Sequence, residues 1–176
     1  MITELDNPFT EEYYNLKEHI NSPLMAWYWS PNTTHQEHNE LSYYGHQIMG
    51  RPDNSVGKPY STIDSELFEE TYTVLEQIFE YNNISVSVIY RINFNATTFA
   101  EVKKSPYHTD LDFPHKNLLI YMSKFTDGWT YVKDFDLEVK SIPKEDGIIV
   151  FDGLLEHCHE VPKLNERRIV LIVCYL

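Results

Sequence analysis

Beyond Asn83 the chain reads as seven short segments, "ISVSVIYRINF", "KNLLIYMS", "WTYVKDF", "LEVKSI", "GIIVFD", "LLEHCHEV" and "RRIVLIVCYL", each rich in β-branched and aromatic residues. Turn chemistry such as Asp127-Gly128 and Asp146-Gly147 separates them, and no stretch of helical period intervenes. Successive strands without crossover helices suggest an antiparallel sandwich or barrel. An earlier aromatic segment, "LMAWYWS", brings the count to the eight of a jelly roll.

The first half is organised differently. After Thr10, the segment "EEYYNLKEHI" places Tyr13, Leu16 and Ile20 on one helical face, with two glutamates in the first turn where the helix dipole favours them. A longer helix is expected from Asp64 or Ser65 as cap through Asn82, with Leu67, Phe68, Leu75, Ile78 and Phe79 at helical spacing. Between them, residues 31–62 are polar and rich in Asn, His, Pro and Gly, which reads as loop. The 176 residues make one domain, a helical and loop part over about 1–83 and a β core over about 84–176, long enough to bury roughly 70% of the unfolded surface. The fold class is mainly β with N-terminal helices.

A net charge of −13 disfavours long nucleic acid, since its binding draws on clustered lysine and arginine. No apolar run approaches the ~20 residues that span a bilayer, and the N-terminus lacks a signal-peptide pattern. The two cysteines, Cys158 and Cys174, then read as reduced thiols of a cytoplasmic protein, and the Asn-x-Ser/Thr triplets at Asn32, Asn83 and Asn95 carry little weight.

The stretch "SPYHTDLDFPHK" holds the first chemical signal. In an extended segment, residues i and i+2 face the same way, so His108 and Asp110 can present an imidazole nitrogen and a carboxylate oxygen to one point. Chance supplies roughly one such triplet in every two chains of this composition, so the pair needs support. It comes from "FDGLLEHCHEV", where His157 and His159 share one strand face and either can be a third ligand. Two histidines and a carboxylate form a facial triad that leaves metal positions open, the arrangement suited to Fe(II) oxygen chemistry. Arg168, at the start of the last strand, can pair with a carboxylate inside the barrel mouth, while strand alternation turns Arg167 away. Asp110 is expected at a polar mouth, where its loss would leave the fold nearly intact.

These motifs resemble the 2-oxoglutarate and Fe(II)-dependent oxygenases, whose pattern is His-x-Asp, a distal His, then an Arg about ten residues on. The resemblance runs from about Ile89 to the C-terminus. It is strongest to small prolyl-hydroxylase-like oxygenases of marine bacteria and phages, through Arg91 and Asn93, His108 and Asp110, Pro114-His115-Lys116, Asp127-Gly128 with Thr130, Phe151-Asp152-Gly153 with His157, Pro162, and Arg168-Ile169-Val170. "YYGHQIM" matches a further family segment more loosely.

The resemblance implies a double-stranded β-helix, a cupin-like jelly roll. It implies Fe(II) on His108, Asp110 and His157, with His159 the alternative because "HEV" is also a family spelling of the ligand. It further implies 2-oxoglutarate anchored by Arg168, with Tyr121 and Asn93 as further cosubstrate contacts. No catalytic residue is expected beyond the metal site. The implied reaction consumes O2, converts 2-oxoglutarate to succinate and CO2, and hydroxylates a C–H bond of a prolyl, other peptidyl or small-molecule substrate. The host cytoplasm is the expected location for a phage-encoded member. The rival readings are a non-catalytic β-roll binding module and a cupin-like metal-dependent hydrolase or isomerase. His35 and His38 of "THQEHNE" read as a polar loop rather than a metal cluster. Lys103 and Lys104 belong to a lid or a mobile loop, and Trp27, Trp29, Tyr43 and Tyr44 line a groove or fill the core.

Overall fold

The computed structural model describes residues 1–33, 41–53 and 57–176; His35 and His38 lie outside them. Helix α1 (Glu11–Asn21) starts at Thr10, whose hydroxyl accepts the Tyr13 amide, and buries Tyr13, Leu16 and Ile20. Helix α2 (Phe68–Tyr81) is capped at Leu67, two or three residues later than the expected Asp64 or Ser65. Ser65 Oγ, the expected cap, accepts the Leu67 amide and bonds His46 Nε2, so it closes a turn ahead of the helix.

The strands are β1 (Thr3–Leu5), β2 (Tyr28–Ser30), β3 (Tyr43–Gly50), β4 (Thr62–Ile63), β5 (Ile89–Thr98), β6 (Lys116–Tyr121), β7 (Thr130–Asp134), β8 (Leu137–Ser141), β9 (Ile148–Asp152), β10 (His157–His159) and β11 (Arg167–Tyr175). All seven segments read as strands beyond Asn83 contain one. The loop reading of residues 31–62 is corrected at β3, which pairs with β5 inside the large sheet. Its sequence, "YYGHQIMG", carries a histidine and two glycines where an aliphatic alternation would announce a strand, yet His46, Ile48 and Gly50 alternate inward.

The large antiparallel sheet runs β1-β9-β6-β11-β5-β3-β2, with β4 on β3, and a smaller sheet runs β10-β7-β8. Residues 103–108 line the free edge of β10, through bonds of Val161 N to Lys103 O, Ser105 N to His159 O and the reciprocal His108–His157 pair. That segment is therefore neither lid nor loose loop. Through isolated bridges it extends the three-stranded sheet, which faces β5, β11, β6 and β9, and the two layers form the jelly roll. Lys104 faces outward, its ammonium 3.7 Å from the Tyr131 ring centroid and 3.3 Å from Glu138.

The near-continuous apolar runs of β6 and β11 follow from coverage on both faces. Leu118, Ile120, Ile169, Leu171 and Val173 pack under α1 and α2, whereas Leu119, Tyr121 and Val170 face the roll with Phe125, Phe151 and Val132. Both cysteines are free and buried. Among the described residues no helix is long and apolar enough to cross a membrane.

Candidate metal and anion site

A cavity of about 720 Å³ opens between the two sheets, lined on one wall by His108, Asp110 and His157 and on another by Arg168 and Thr130. The ligand-capable atoms of His108, Asp110 and His157 lie within 4.8 Å of one another. His108 and His157 exchange backbone hydrogen bonds of 3.0 and 2.9 Å, and this pairing brings their ring centroids to 4.5 Å, with the planes tilted by 49°. His157 Nε2 stands 3.3 Å from Asp110 Oδ2.

Both imidazoles are turned the same way. His108 Nδ1 lies 3.1 Å from Pro106 O, and His157 Nδ1 3.3 Å from Leu155 O. A carbonyl can only accept, so each Nδ1 carries the proton and each Nε2 keeps its lone pair for the cluster. Metal-bound histidines are usually held by such bonds. His159 shares the strand face but is not one of the three clustered residues.

Asp110 lines the polar cavity but is 8% exposed and ion-paired, not solvated. Arg91 Nη1 donates to its Oδ1 at 2.6 Å, Asn117 Nδ2 to its Oδ2 at 3.0 Å, and Arg51 Nη1 to its backbone carbonyl at 2.7 Å. Burial pushes the carboxyl pKa upward, but the adjacent His157 ring and the Arg91 charge outweigh it and hold the group ionised far below the ordinary range. Burial and the neighbouring His157 push His108 below its ordinary value. Burial, Arg168 and His108 do the same more strongly to His159.

These shifts set a pH dependence. Where a folded histidine titrates below its unfolded value, the unfolded chain takes up the proton first as the pH falls. Stability is then complete above about pH 6.5 and lost below it, by up to about 1.4 kcal/mol per pH unit per group. Metal-free protein is thus expected to unfold at lower urea at about pH 5.5 than at about pH 7.5. An unchanged midpoint would mean that neither ring is held neutral.

Arg168 is 3% exposed. Its Nε donates to Gly128 O and its Nη2 to Thr130 Oγ1, each at 3.0 Å, and its Cζ lies 5.9 Å from the Tyr121 and Phe125 ring centroids. Gly128 has φ +62°, and a Cβ there would stand 3.2 Å from Arg168 Cδ and 2.9 Å from the Phe125 ring, so glycine alone lets the turn close on the arginine. All of these partners are neutral. Among the described residues no carboxylate pairs with this guanidinium, whose pKa burial lowers to about 10, leaving it charged at neutral pH.

No family model and no curated protein sequence matches the chain. Solved structures do. A 2OG-Fe(II) oxygenase family oxidoreductase from Burkholderia pseudomallei superimposes with a TM-score of 0.67 at 16% identity, over 84% of this chain and 72% of that one. A Trichoplax adhaerens prolyl hydroxylase, solved with a hypoxia inducible factor oxygen degradation domain peptide, gives 0.59 at 10% identity over 99% and 83%. The non-heme alpha ketoglutarate dependent epimerase SnoN gives 0.64 at 10% identity over 99% and 78%. The chain has the fold of the 2-oxoglutarate/Fe(II) oxygenases.

Tyr121 does not line the cavity; its hydroxyl bonds Thr130 Oγ1 at 3.0 Å and Ser141 Oγ at 3.3 Å, so it steadies the residue that holds Arg168. Asn93 is buried beneath the cavity floor and bonds Asn95, which does line it. Tyr43 reaches the cavity, whereas Trp29 and Tyr44 pair across the sheet edge and are exposed. His46 spends both nitrogens on Ala26 O and Ser65 Oγ. Sequence reasoning gave Asn117 and Arg51 no role. Arg91, Asn93, Asn95 and Thr97 alternate as polar residues along β5, a signal of a polar cavity face that was legible in "RINFNAT".

Proposed function

We propose that this protein is a 2-oxoglutarate- and Fe(II)-dependent dioxygenase that hydroxylates a C–H bond of a peptidyl or small-molecule substrate. The observation that carries this reading is a buried, uncompensated Arg168 in the same cavity as a His-Asp-His cluster. An unpaired buried guanidinium costs stability, and an anionic ligand offsets that cost. The donor set also fits the metal, with two neutral imidazole nitrogens and one carboxylate, oriented from behind by Pro106 O, Leu155 O, Arg91 and Asn117.

His108, Asp110 and His157 would hold Fe(II), and Arg168, steadied by Thr130, would fix the far carboxylate of 2-oxoglutarate. When bound, iron and 2-oxoglutarate supply the oxidising chemistry, using O2 and releasing succinate and CO2. The protein's own part is positional. Arg91 and Asn117 fix both oxygens of Asp110, the His108–His157 backbone pair sets the ring separation, and Leu119 and Ile172 contribute apolar wall beside the polar groups. Oxygenase relatives of this fold include a peptide-bound prolyl hydroxylase and an epimerase, which supports a peptidyl or small-molecule substrate of either kind.

The test is to load purified protein with Fe(II) and 2-oxoglutarate without oxygen, admit oxygen and measure succinate, with and without candidate prolyl peptides. Succinate that depends on iron and oxygen is expected. Its absence under every substrate tried, with 2-oxoglutarate still bound, would favour the binding-module reading, and metal-dependent turnover indifferent to 2-oxoglutarate the hydrolase or isomerase reading.

A further inference from the structure

Two more side chains reach the cavity beside Arg168, each with a buried polar atom that has no hydrogen-bond partner among the described residues: Thr97 Oγ1 and His159 Nε2. Register places both. Thr97 on β5 stands opposite Arg168 on β11, and His159 on β10 stands opposite Thr130 on β7, whose hydroxyl holds the guanidinium. Directly opposed residues of antiparallel strands put their side chains on one face, about 4.5–5.5 Å apart at Cβ. Thr97, Arg168, Thr130 and His159 therefore surround one spot.

The proton on the His159 ring can be assigned from its neighbours. Ser105 Oγ accepts the His159 amide at 3.0 Å and lies 3.2 Å from His159 Nδ1. Ser105 Oγ can accept from the amide and still donate, and among the described residues Nδ1 is the one acceptor within reach of its hydroxyl proton; with that bond made, the ring proton sits on Nε2 as a buried donor. Arg168 has meanwhile spent Nε on Gly128 O and one Nη2 proton on Thr130, so it meets an anion with the outer end of its fork only. A carboxylate offers about four acceptor positions, and two of them stay open after such an end-on pair.

Resting on the cosubstrate reading above, we propose that His159 Nε2–H and the Thr97 hydroxyl donate to the far carboxylate of 2-oxoglutarate, completing the site that Arg168 begins. Two positioning residues thus fill the open acceptor positions, and both orphaned polar atoms gain a partner. His159 acts on the cosubstrate while its strand neighbour His157 faces the metal cluster.

The experiment is calorimetric titration of 2-oxoglutarate into Mn(II)-loaded protein, comparing wild type with His159→Phe, His159→Gln and Thr97→Val. Phenylalanine keeps the ring shape without the donor, and glutamine returns an amide N–H near the position of Nε2. Affinity is expected to fall roughly ten- to a hundredfold in His159→Phe, to recover most of that in His159→Gln, and to fall roughly three- to tenfold in Thr97→Val, with Mn(II) affinity unchanged throughout. Equal binding by wild type and His159→Phe, or equal losses in His159→Phe and His159→Gln, would overturn the role of His159. Loss of Mn(II) from His159→Phe would overturn it too, by placing that histidine on the metal. If Arg168→Lys weakens 2-oxoglutarate while the His159 variants do not, this inference falls and the cosubstrate reading stands. A wild type that binds Mn(II) but no 2-oxoglutarate removes both.

Discussion

Asp110→Ala is expected to abolish metal retention and to destabilise the protein by about 3 kcal/mol. Two losses add together. The cluster loses its only carboxylate, and Arg91, whose side chain is 16% exposed, loses the partner 2.6 Å away. Breaking a buried pair from one side costs about 3–5 kcal/mol, and the partial exposure of Arg91 argues for the lower end. Asp110→Asn separates the two effects, because its amide oxygen can still accept from Arg91 while the charge needed for the metal is gone. Removing both partners, as in the pair Arg91→Met and Asp110→Ala, should regain much of the stability lost by Asp110→Ala alone. Urea unfolding of the metal-free proteins, together with metal content after Fe(II) loading, checks each arm. A metal-free Asp110→Ala as stable as wild type would show that the Arg91 pair contributes nothing to the fold.

Arg168→Met is expected to raise the stability of the ligand-free protein, by about 1–2 kcal/mol, while eliminating 2-oxoglutarate binding. Methionine of similar volume fits among Tyr121, Phe125 and Val170 and removes a buried charge whose hydrogen-bond partners among the described residues, Gly128 O and Thr130 Oγ1, are neutral. A gain in stability joined to loss of a ligand marks a residue retained for binding rather than folding. Arg168→Lys keeps the charge without the fork and should weaken 2-oxoglutarate by about 1.5–3 kcal/mol with metal affinity unchanged. Should Arg168→Met instead unfold the chain, the arginine would be a structural tie between β11 and the Gly128 turn. Unfolding midpoints and calorimetry on the same preparations decide between the two.

The elements that sequence reveals and those it hides differ in the range of the interactions that make them. Helix α1 is legible because Thr10, the two first-turn glutamates and Tyr13, Leu16 and Ile20 act within a few residues of one another. The strands beyond Asn83 are legible for a similar reason, since alternation and turn chemistry are local. Strand β3 is not, because "YYGHQIMG" has little strand character of its own and is held by its neighbours β5 and β2.

The candidate site divides along the same line. Strand pleat alone puts His108 with Asp110 on one side, and His157 with His159 on another, and it turns Arg168 inward and Arg167 out. Which histidine meets Asp110 depends on a backbone pairing between His108 and His157, 49 positions apart in the chain, that no local pattern encodes. The burial of Asp110 was likewise invisible, since Arg51 just past β3, Arg91 on β5 and Asn117 on β6 converge on it. Sequence by itself determined the residue types, their order and the faces they share, because those follow from the geometry of one strand or one helix. Only the tertiary structure decided their partners and their burial, because charge compensation and desolvation are properties of the groups packed around a side chain, whatever their distance along the chain.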